Sequence, residues 1–235
     1  MPKSFKNPKK PILFVKSNSK YSSNNYNFEE RGYQIINPNI LEVETLPIKQ
    51  IQGNFIIIIT SMNAIFALEK LNILKDNLIF TAGNVSANIL KNLGYNNIIF
   101  GKNSAKSLLQ KIIEENLITK KDNILYLSGK NITINIAQKL QQLGYKAQQQ
   151  IIYKINAQEL SNDLILDLKN NDINDIALFS KNGVDIFCNL CHKNNINLSN
   201  KNIFVISDNI ANYCKDNFAL TNINIIKESY TISQL

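Results

Sequence analysis

The feature that most constrains the fold of this chain is an internal repeat of strand–turn–helix segments. Ile56–Leu68 reads IIIITSMNAIFAL and Ile176–Phe187 reads IALFSKNGVDIF, so each places an apolar run before a Ser, a variable residue and an Asn. A second pair follows, LIFTAGNVSANIL at Leu78–Leu90 and IFVISDNIANYC at Ile203–Cys214. A repeat of this length predicts two similar α/β domains rather than a solenoid of short units. Two such domains usually face each other across a ligand-binding cleft.

The alternation of apolar runs with helical stretches of about ten residues predicts parallel sheets covered by helices on both faces. The copy that starts at Ile56 ends near Gly144, and the C-terminal copy lacks a first strand, which Ile12–Lys16 would supply. We therefore expect one domain made of both chain ends and a second domain inserted into it. The predicted ranges are 1–39 with 158–235 for the first domain, 51–143 for the inserted domain, and 40–50 with 144–157 for two linker strands.

Three helices are predicted next to glycines that would end them. Asn24–Arg31 is expected to be helical up to Gly32. Val85–Leu93 precedes Gly94, and Asn131–Leu143 precedes Gly144. Glycine is common just after a helix because it adopts the left-handed conformation without strain.

The composition argues against a nucleic-acid partner, although the formal charge is +8 and the pI about 9.2. Proteins that read nucleic acids usually contact them with Arg and cluster their charge. Arg31 is the single Arg, and the lysines are scattered apart from Lys3, Lys6, Lys9 and Lys10. A small polyanionic ligand would benefit equally from the positive field.

The chain is expected to be cytoplasmic and not to enter a membrane. Its first residues carry charges without an apolar stretch before a cleavage site. The apolar run Phe55–Ile59 is too short to cross a bilayer. In that compartment the three cysteines would be free thiols.

The string Cys188–His192 reads CNLCH, a pattern that nominally indicates covalent haem attachment. It falls within the helix expected after Gly183, where Phe187, Leu190 and Cys191 would pack on the sheet. Two Cys and one His also leave a zinc site short of ligands. We therefore interpret the cysteines as ordinary helix residues and His192 as a surface residue, and no metal site is expected.

Five polar turns are predicted to follow strands and to precede helices, at Ser61, Gly83–Ser86, Ser128–Lys130, Ser180–Asn182 and Ser207–Asn209. Backbone N–H groups at helix N-termini bind anions, and Ser and Asn side chains add donors. Any one of these turns by itself is more simply a helix N-cap. The convergence of five favours an anion site. Gly83 and Gly129 belong to neither GxGxxG nor a P-loop, so a nucleotide site is not indicated.

These segments resemble the uroporphyrinogen-III synthase family in order and spacing over nearly the whole chain. The matching pieces are Thr60–Ser61 with Asn63 and Ala64, Ala82–Asn84 with Ser86 and Ala87, Leu125–Gly129, Leu143–Tyr145, Ile151–Tyr153, Phe179–Ser180 with Gly183 and Val184, and Val205–Ser207 with Ala211.

The resemblance implies two flavodoxin-like three-layer domains with parallel sheets, joined by a two-stranded linker. It implies a hydro-lyase of haem biosynthesis that closes hydroxymethylbilane into uroporphyrinogen III, inverts the last pyrrole ring and releases water. The enzyme would need no metal and no organic cofactor, and would act as a monomer.

The resemblance also assigns residues. Tyr153 matches the Tyr of the family's linker strand and would donate a hydrogen bond to the departing hydroxyl. Lys16 stands where Arg is common, Ser128 where Arg often precedes the Gly, and Ser207 where Gly is common, with Asp208 and Asn209 following. The substrate-binding residues would be Lys16, Thr60, Ser61, Asn63, Gly83, Asn84, Ser86, Ser128, Gly129, Lys130, Ser180, Asn182, Ser207 and Asn209.

Two functional hypotheses follow, of different classes. The first is the synthase. The second is a non-catalytic two-domain protein that binds a small anionic solute, and this hypothesis predicts a tighter pocket and no effect on hydroxymethylbilane. By itself, Tyr153 is more often a half-buried strand residue than a catalytic one.

Overall fold

Two β-sheets organise the chain in the computed structural model, which describes residues 9–17 and 27–226. The described residues divide into two compact units. The terminal unit contains residues 9–17, 27–42 and 156–226, and the central unit contains residues 43–155.

Strands and helices alternate through the described residues. In chain order they are β1 (Lys10–Val15), β2 (Tyr33–Ile36), β3 (Leu41–Thr45), β4 (Ile56–Ile59), α1 (Phe66–Lys70), β5 (Ile79–Thr81), α2 (Asn84–Asn92), β6 (Ile98–Phe100), α3 (Ala105–Glu114), β7 (Asn123–Gly129), α4 (Ile136–Gln142), β8 (Lys146–Ala157), α5 (Asn162–Lys169), β9 (Asp175–Leu178), α6 (Lys181–Lys193), β10 (Asn202–Val205), α7 (Asp208–Phe218) and β11 (Ile223–Ile225).

The sheets of the two units have the same spatial arrangement of strands, but the strands follow one another in a different order along the chain. The sheet of the terminal unit runs β11–β10–β9–β1–β2, and that of the central unit runs β6–β5–β4–β7–β8, with β3 next to β8. The pairs within each five-strand series are parallel. Consequently β4–α1 and β9–α6 occupy the same place in the two sheets, as do β5–α2 and β10–α7. The repeat and the parallel α/β fold are both confirmed.

The central strand of the central unit shows why an unbroken apolar run forms here. In β4, Ile57 and Ile59 pack into one cluster with Leu68, whereas Ile58 packs into a second cluster with Phe80. All three isoleucines are fully buried. A strand covered on both faces has no polar side, and each buried Ile contributes about 1.5–3 kcal/mol to stability.

The segments predicted as linker strands include β3 and β8, which are neighbours. The Leu46 N–H donates to the Ile152 carbonyl, and the Gln158 N–H donates to the Ile40 carbonyl, each at 2.9 Å. These two bonds run in opposite order along the two segments, as in an antiparallel pair. The exact domain and linker ranges stay predictions.

The prediction of a helix at Asn24–Arg31 is wrong for residues 27–31. Residues 24–26 lie outside the described residues. From Asn27 the chain makes a hydrogen-bonded turn instead. Asn27 (φ 48°) and Gly32 (φ 84°) both adopt the left-handed conformation. The Tyr33 N–H then bonds back to the Phe28 carbonyl. Left-handed residues at both ends close the segment after a single turn.

The helix expected at Asn131–Leu143 begins only at Ile136. The Asn135 side chain caps it by accepting the Gln138 N–H at 3.1 Å. The β-branched residues Ile132–Ile134 lie before the cap, where their restricted side chains do not oppose helix formation. The helix expected at Val85–Leu93 is confirmed as α2, with Gly94 in the left-handed conformation after it.

Candidate functional site

Each sheet has a point at which the chain order reverses, and ligands of open parallel sheets bind outside the carboxyl ends of the strands there. In the central unit this point lies between β4 and β7, and in the terminal unit between β1 and β9. Thr60 and Ser61 follow β4, Lys16 follows β1, and Ser180 lies two residues beyond β9. These four sequence-predicted residues therefore lie at the two reversal points.

A β-bulge places Tyr153 in the central unit. Ser128 pairs with Ile151 and Gly129 pairs with Tyr153, which leaves Ile152 as an extra residue of β8. Bulges bend a strand and redirect its side chains. The Tyr153 ring consequently lies against Gly129, where an added Cβ would come within 2.6 Å of the ring Cζ and 2.8 Å of the hydroxyl oxygen. Glycine is therefore required at position 129 by close approach.

Tyr153 is held as a neutral phenol. Its side chain is 6% exposed, and its hydroxyl shares a hydrogen bond with the Ser61 side chain. Burial raises the pKa of Tyr153 above its ordinary value of 10, and the bond to Ser61 offsets part of this rise. The phenol consequently keeps its proton at neutral pH and is able to donate it in a hydrogen bond.

A second tyrosine lies at the same reversal point, and the sequence reading missed it. Tyr126 on β7 is fully buried, and its hydroxyl oxygen is 2.9 Å from Thr60 Oγ1. Burial raises the pKa of Tyr126, the Thr60 bond lowers it, and the nearby Tyr153 raises it further. A tyrosine in an otherwise apolar strand was the available signal, because a buried phenolic hydroxyl needs a partner.

Ser128 belongs to a partly buried hydrogen-bond network. It is 2% exposed, and its hydroxyl accepts from Gln149 Nε2 at 2.7 Å and donates to the Gly129 carbonyl at 3.2 Å. Gln149 in turn accepts from Asn135 Nδ2 at 2.8 Å. Neither Gln149 nor Asn135 was predicted. Their pairing depends on strand register, which the sequence does not reveal.

The expectation that Ser128–Lys130 leads directly into a helix is wrong. Ser128 and Gly129 still belong to β7, and α4 begins at Ile136. The Lys130 N–H donates to the Tyr153 carbonyl at 2.9 Å, so it continues the pairing with β8 instead of facing a helix terminus.

The turn after β5 is built around Gly83, which is the N-cap of α2. A Cβ on Gly83 would clash with the Asn103 side chain, so this glycine also reflects a close approach. Asn84 is half-buried and Ser86 is buried within the first turn of α2. Asn63 lies in the short 3-10 helix that Ser61 caps by accepting the Asn63 N–H at 3.2 Å.

In the terminal unit the two predicted serines are helix caps. Ser180 accepts the Gly183 N–H at 3.0 Å, and Ser207 accepts the Ile210 N–H at 3.4 Å. A capping hydroxyl keeps its own proton to donate to another acceptor. Asn182 is half-buried, and Asn209 is exposed.

Two charged residues that follow strands of the terminal unit, Lys16 and Asp208, have opposite signs. Lys16 is 9% exposed, and its ammonium lies 5.4 Å from the centre of the Phe179 ring. Asp208 is exposed in the first turn of α7, where the helix dipole favours a negative charge.

The CNLCH string packs inside the terminal unit. Phe187, Leu190 and Cys191 are buried as predicted, and His192 is exposed. Cys188 is also buried, and burial raises the pKa of its thiol to about 12. Residues 9–17 and 27–226 contain no group of three or more His, Cys, Asp or Glu able to hold a metal ion.

The fold and its reversal points place the chain in the class of proteins that have two parallel α/β units joined by paired strands. The family model of uroporphyrinogen-III synthase HemD matches residues 24–235, so the chain belongs to the uroporphyrinogen-III synthase family. No curated protein sequence gives a significant match. Within the part of the chain that the structure covers, no helix has the length and apolar character needed to span a membrane.

Solved structures support the fold. Uroporphyrinogen-III synthetase from Helicobacter pylori is similar with a TM-score of 0.61 at 17% identity, covering 94% of each chain. A mutant uroporphyrinogen III synthase from the extremely thermophilic bacterium Thermus thermophilus is similar with a TM-score of 0.57 at 14% identity, covering 91% of this chain and 92% of that one.

Proposed function

We propose that this chain is a hydro-lyase that closes hydroxymethylbilane into uroporphyrinogen III, with inversion of the last pyrrole ring and release of water. Family membership supports the reaction. The observation that carries the site assignment is the neutral phenol of Tyr153, held by Ser61 and seated against Gly129 at a sheet reversal point.

The first chemical step is loss of the hydroxyl from the terminal hydroxymethyl group. Tyr153 donates a hydrogen bond to that oxygen, the C–O bond breaks as the Tyr153 proton passes to the leaving oxygen, and water departs. The pyrrole nitrogen lone pair stabilises the resulting azafulvene. A general acid at such a step typically contributes about 10²–10⁴ in rate. Tyr153 is protonated throughout the neutral range, and its raised pKa makes it a weak acid, so its main contribution is the hydrogen bond to the departing oxygen.

The second step selects the isomer. The substituted position of the last ring attacks the azafulvene carbon and gives a spiro intermediate, which rearranges and loses the proton that restores the Tyr153 phenol. Because the simpler closure to the type I isomer needs no enzyme, holding the linear chain in the required geometry supplies much of the advantage.

The carboxylates of the substrate need donors and positive charge. We assign them to Lys16, the hydroxyls of Thr60, Ser61, Ser180 and Ser207, the side chains of Asn63, Asn84, Ser86, Lys130, Asn182 and Asn209, and the backbone at Gly83 and Gly129. Ser128 is left out of this assignment because its hydroxyl proton is donated to the Gly129 carbonyl. The capping serines support this assignment, because each keeps a hydroxyl proton for an acceptor.

The proposal includes a monomer that acts in the cytoplasm without a metal or an organic cofactor. Three free cysteines suit a reducing compartment.

An isomer assay tests the proposal. Hydroxymethylbilane is generated in situ, the purified protein is added, and the oxidised products are separated by chromatography. We expect mainly type III uroporphyrin. Product of only type I, as in the control without protein, would overturn the catalytic function and leave a protein that binds an anionic solute.

A further inference from the structure

The hydroxyls of Thr60 and Tyr126 share a hydrogen bond in which either oxygen can donate. The two oxygens are 2.9 Å apart, and Tyr126 is fully buried on β7. A buried hydroxyl left without a partner costs about 1–3 kcal/mol. Tyr126 and Thr60 therefore hold each other in place, and the Thr60 hydroxyl is half-buried.

The terminal unit shows that the fold does not require this hydrogen bond. Strand register pairs Tyr126 with Ile58 in the central unit and Phe14 with Ala177 in the terminal unit. The repeat aligns Ser61 with Ser180, so Thr60 corresponds to Phe179 and Ile58 to Ala177. Because Tyr126 pairs with Ile58 and Phe14 pairs with Ala177, Tyr126 corresponds to Phe14. Those two phenylalanines pack with ring centres 5.0 Å apart. An apolar pair thus fills the same place, so packing does not explain the polar pair.

The polar pair lies next to the group assigned to catalysis. Thr60 is followed directly by Ser61, whose hydroxyl bonds Tyr153 and accepts the Asn63 N–H. The two residues form one strand-to-helix turn, anchored by Tyr126 from β7 and by Tyr153 from β8. A change in the anchoring of Thr60 is therefore transmitted to Ser61 through a single peptide unit.

We propose that Tyr126 is a positioning residue of the synthase reaction, which fixes the Thr60 hydroxyl and the Thr60–Ser61 turn so that Tyr153 is aligned with the departing hydroxyl. This inference rests on the proposed function. Tyr126 touches no substrate and acts only through Thr60. Its loss should reduce kcat and the type III fraction far more than it raises KM.

The test compares Tyr126→Phe, Thr60→Val and the double variant with the unsubstituted chain. Thr60→Ser retains the hydroxyl and serves as the conservative rescue. Tyr95→Phe is the matched control, because Tyr95 is another buried tyrosine of the central unit, with the Lys75 ammonium 3.9 Å from its ring centre. For each variant kcat, KM, the isomer ratio and the thermal unfolding midpoint are measured.

We expect Tyr126→Phe and Thr60→Val each to lower kcat about tenfold and to enlarge the type I fraction, since a tenfold loss corresponds to one such hydrogen bond. KM should change less than about twofold in Tyr126→Phe, whereas Thr60→Val also removes a hydroxyl assigned to the carboxylates and should raise KM. The double variant should be no slower than Thr60→Val. Thr60→Ser and Tyr95→Phe should stay within about threefold of the unsubstituted chain. If Tyr126→Phe does not fold, Thr60→Val against Thr60→Ser gives the same comparison.

Two results would overturn the inference while the function stands. One is an unchanged kcat and isomer ratio in Tyr126→Phe, and the other is full additivity of the two losses in the double variant. An unsubstituted chain that yields only the type I isomer would overturn both the function and the inference.

Discussion

The terminal and central units build the same five-strand order but place different chemistry at equivalent positions. Beside the central strand, the central unit has the hydrogen-bonded pair Thr60–Tyr126, whereas the terminal unit has the ring pair Phe179–Phe14. The same strand order therefore occurs with either pair, and we propose the hydroxyl pair as a part of the site.

At a second pair of equivalent positions, it is the terminal unit that has the more polar residue. Lys16 follows β1 in the terminal unit, and the equivalent residue of the central unit is the neutral Ser128. At its reversal point the terminal unit thus has a positive charge, while the central unit has two phenols. We propose that Lys16 binds a substrate carboxylate and that the phenols serve the chemical step.

The largest expected effect is that of Tyr153→Phe. Removing the phenolic hydroxyl should lower kcat by about 10²–10³, because the donor to the departing hydroxyl is lost. Type III formation from hydroxymethylbilane is the measurement, with Tyr145→Phe in the same unit as control. Activity equal to that of the unsubstituted chain would remove the central unit from the chemical step.

Gly129→Ala should displace the Tyr153 ring of the central unit. The added Cβ would lie 2.6 Å from the Tyr153 ring, so the ring or the bulge must move. We expect a loss of about 1–3 kcal/mol of stability together with a loss of activity, measured by urea unfolding and by the isomer assay.

Gly53→Ala is the control for this substitution. Gly53 has open space around it but a φ of 92°, so this variant strains the backbone without touching Tyr153. If both variants lost stability and neither lost activity, the seating of Tyr153 against Gly129 would not matter for the reaction.

Lys16→Met tests the terminal unit. Loss of a partly buried positive charge should raise KM roughly tenfold with a smaller change in kcat, since a hydrogen bond to a charged group contributes about 1.5–3 kcal/mol. The difference from the unsubstituted chain should shrink at high salt, which screens the field. Lys169→Met, an exposed lysine of the same unit, is the control. A pure kcat effect would contradict the binding role assigned to Lys16.

The smallest effect concerns alkaline pH. The pKa values of Tyr126 and Tyr153 are raised in the folded protein, so the unfolded chain loses these protons first, from about pH 10 upward. Stability should therefore fall as pH rises above about 10, and the phenols should stay protonated throughout the neutral range. Phenolate absorbance and unfolding midpoints measure this. The slope should be shallower in Tyr126→Phe and unchanged in Phe14→Leu of the terminal unit.

Local patterns predicted the parts of the molecule that depend on neighbouring residues. The apolar run of β4, the caps Ser180 and Ser207, and Gly94 after α2 are each determined within about four residues, where capping and side-chain alternation act. The internal repeat added the two-unit α/β arrangement. The same local reasoning failed at Asn27 and Asn135, where Asn stops a helix by its left-handed conformation in one case and by capping a later start in the other.

The sequence by itself thus determined the parallel α/β fold, its repetition and most of the polar turns. Only the tertiary structure decided that Tyr126 reaches Thr60, that a bulge seats Tyr153 against Gly129, and that Gln149 holds Ser128. The first of these contacts joins residues 66 positions apart in the chain, and the last joins residues 21 positions apart. The register that creates them comes from pairing whole strands, and a shift of one residue would turn each side chain to the other face of the sheet.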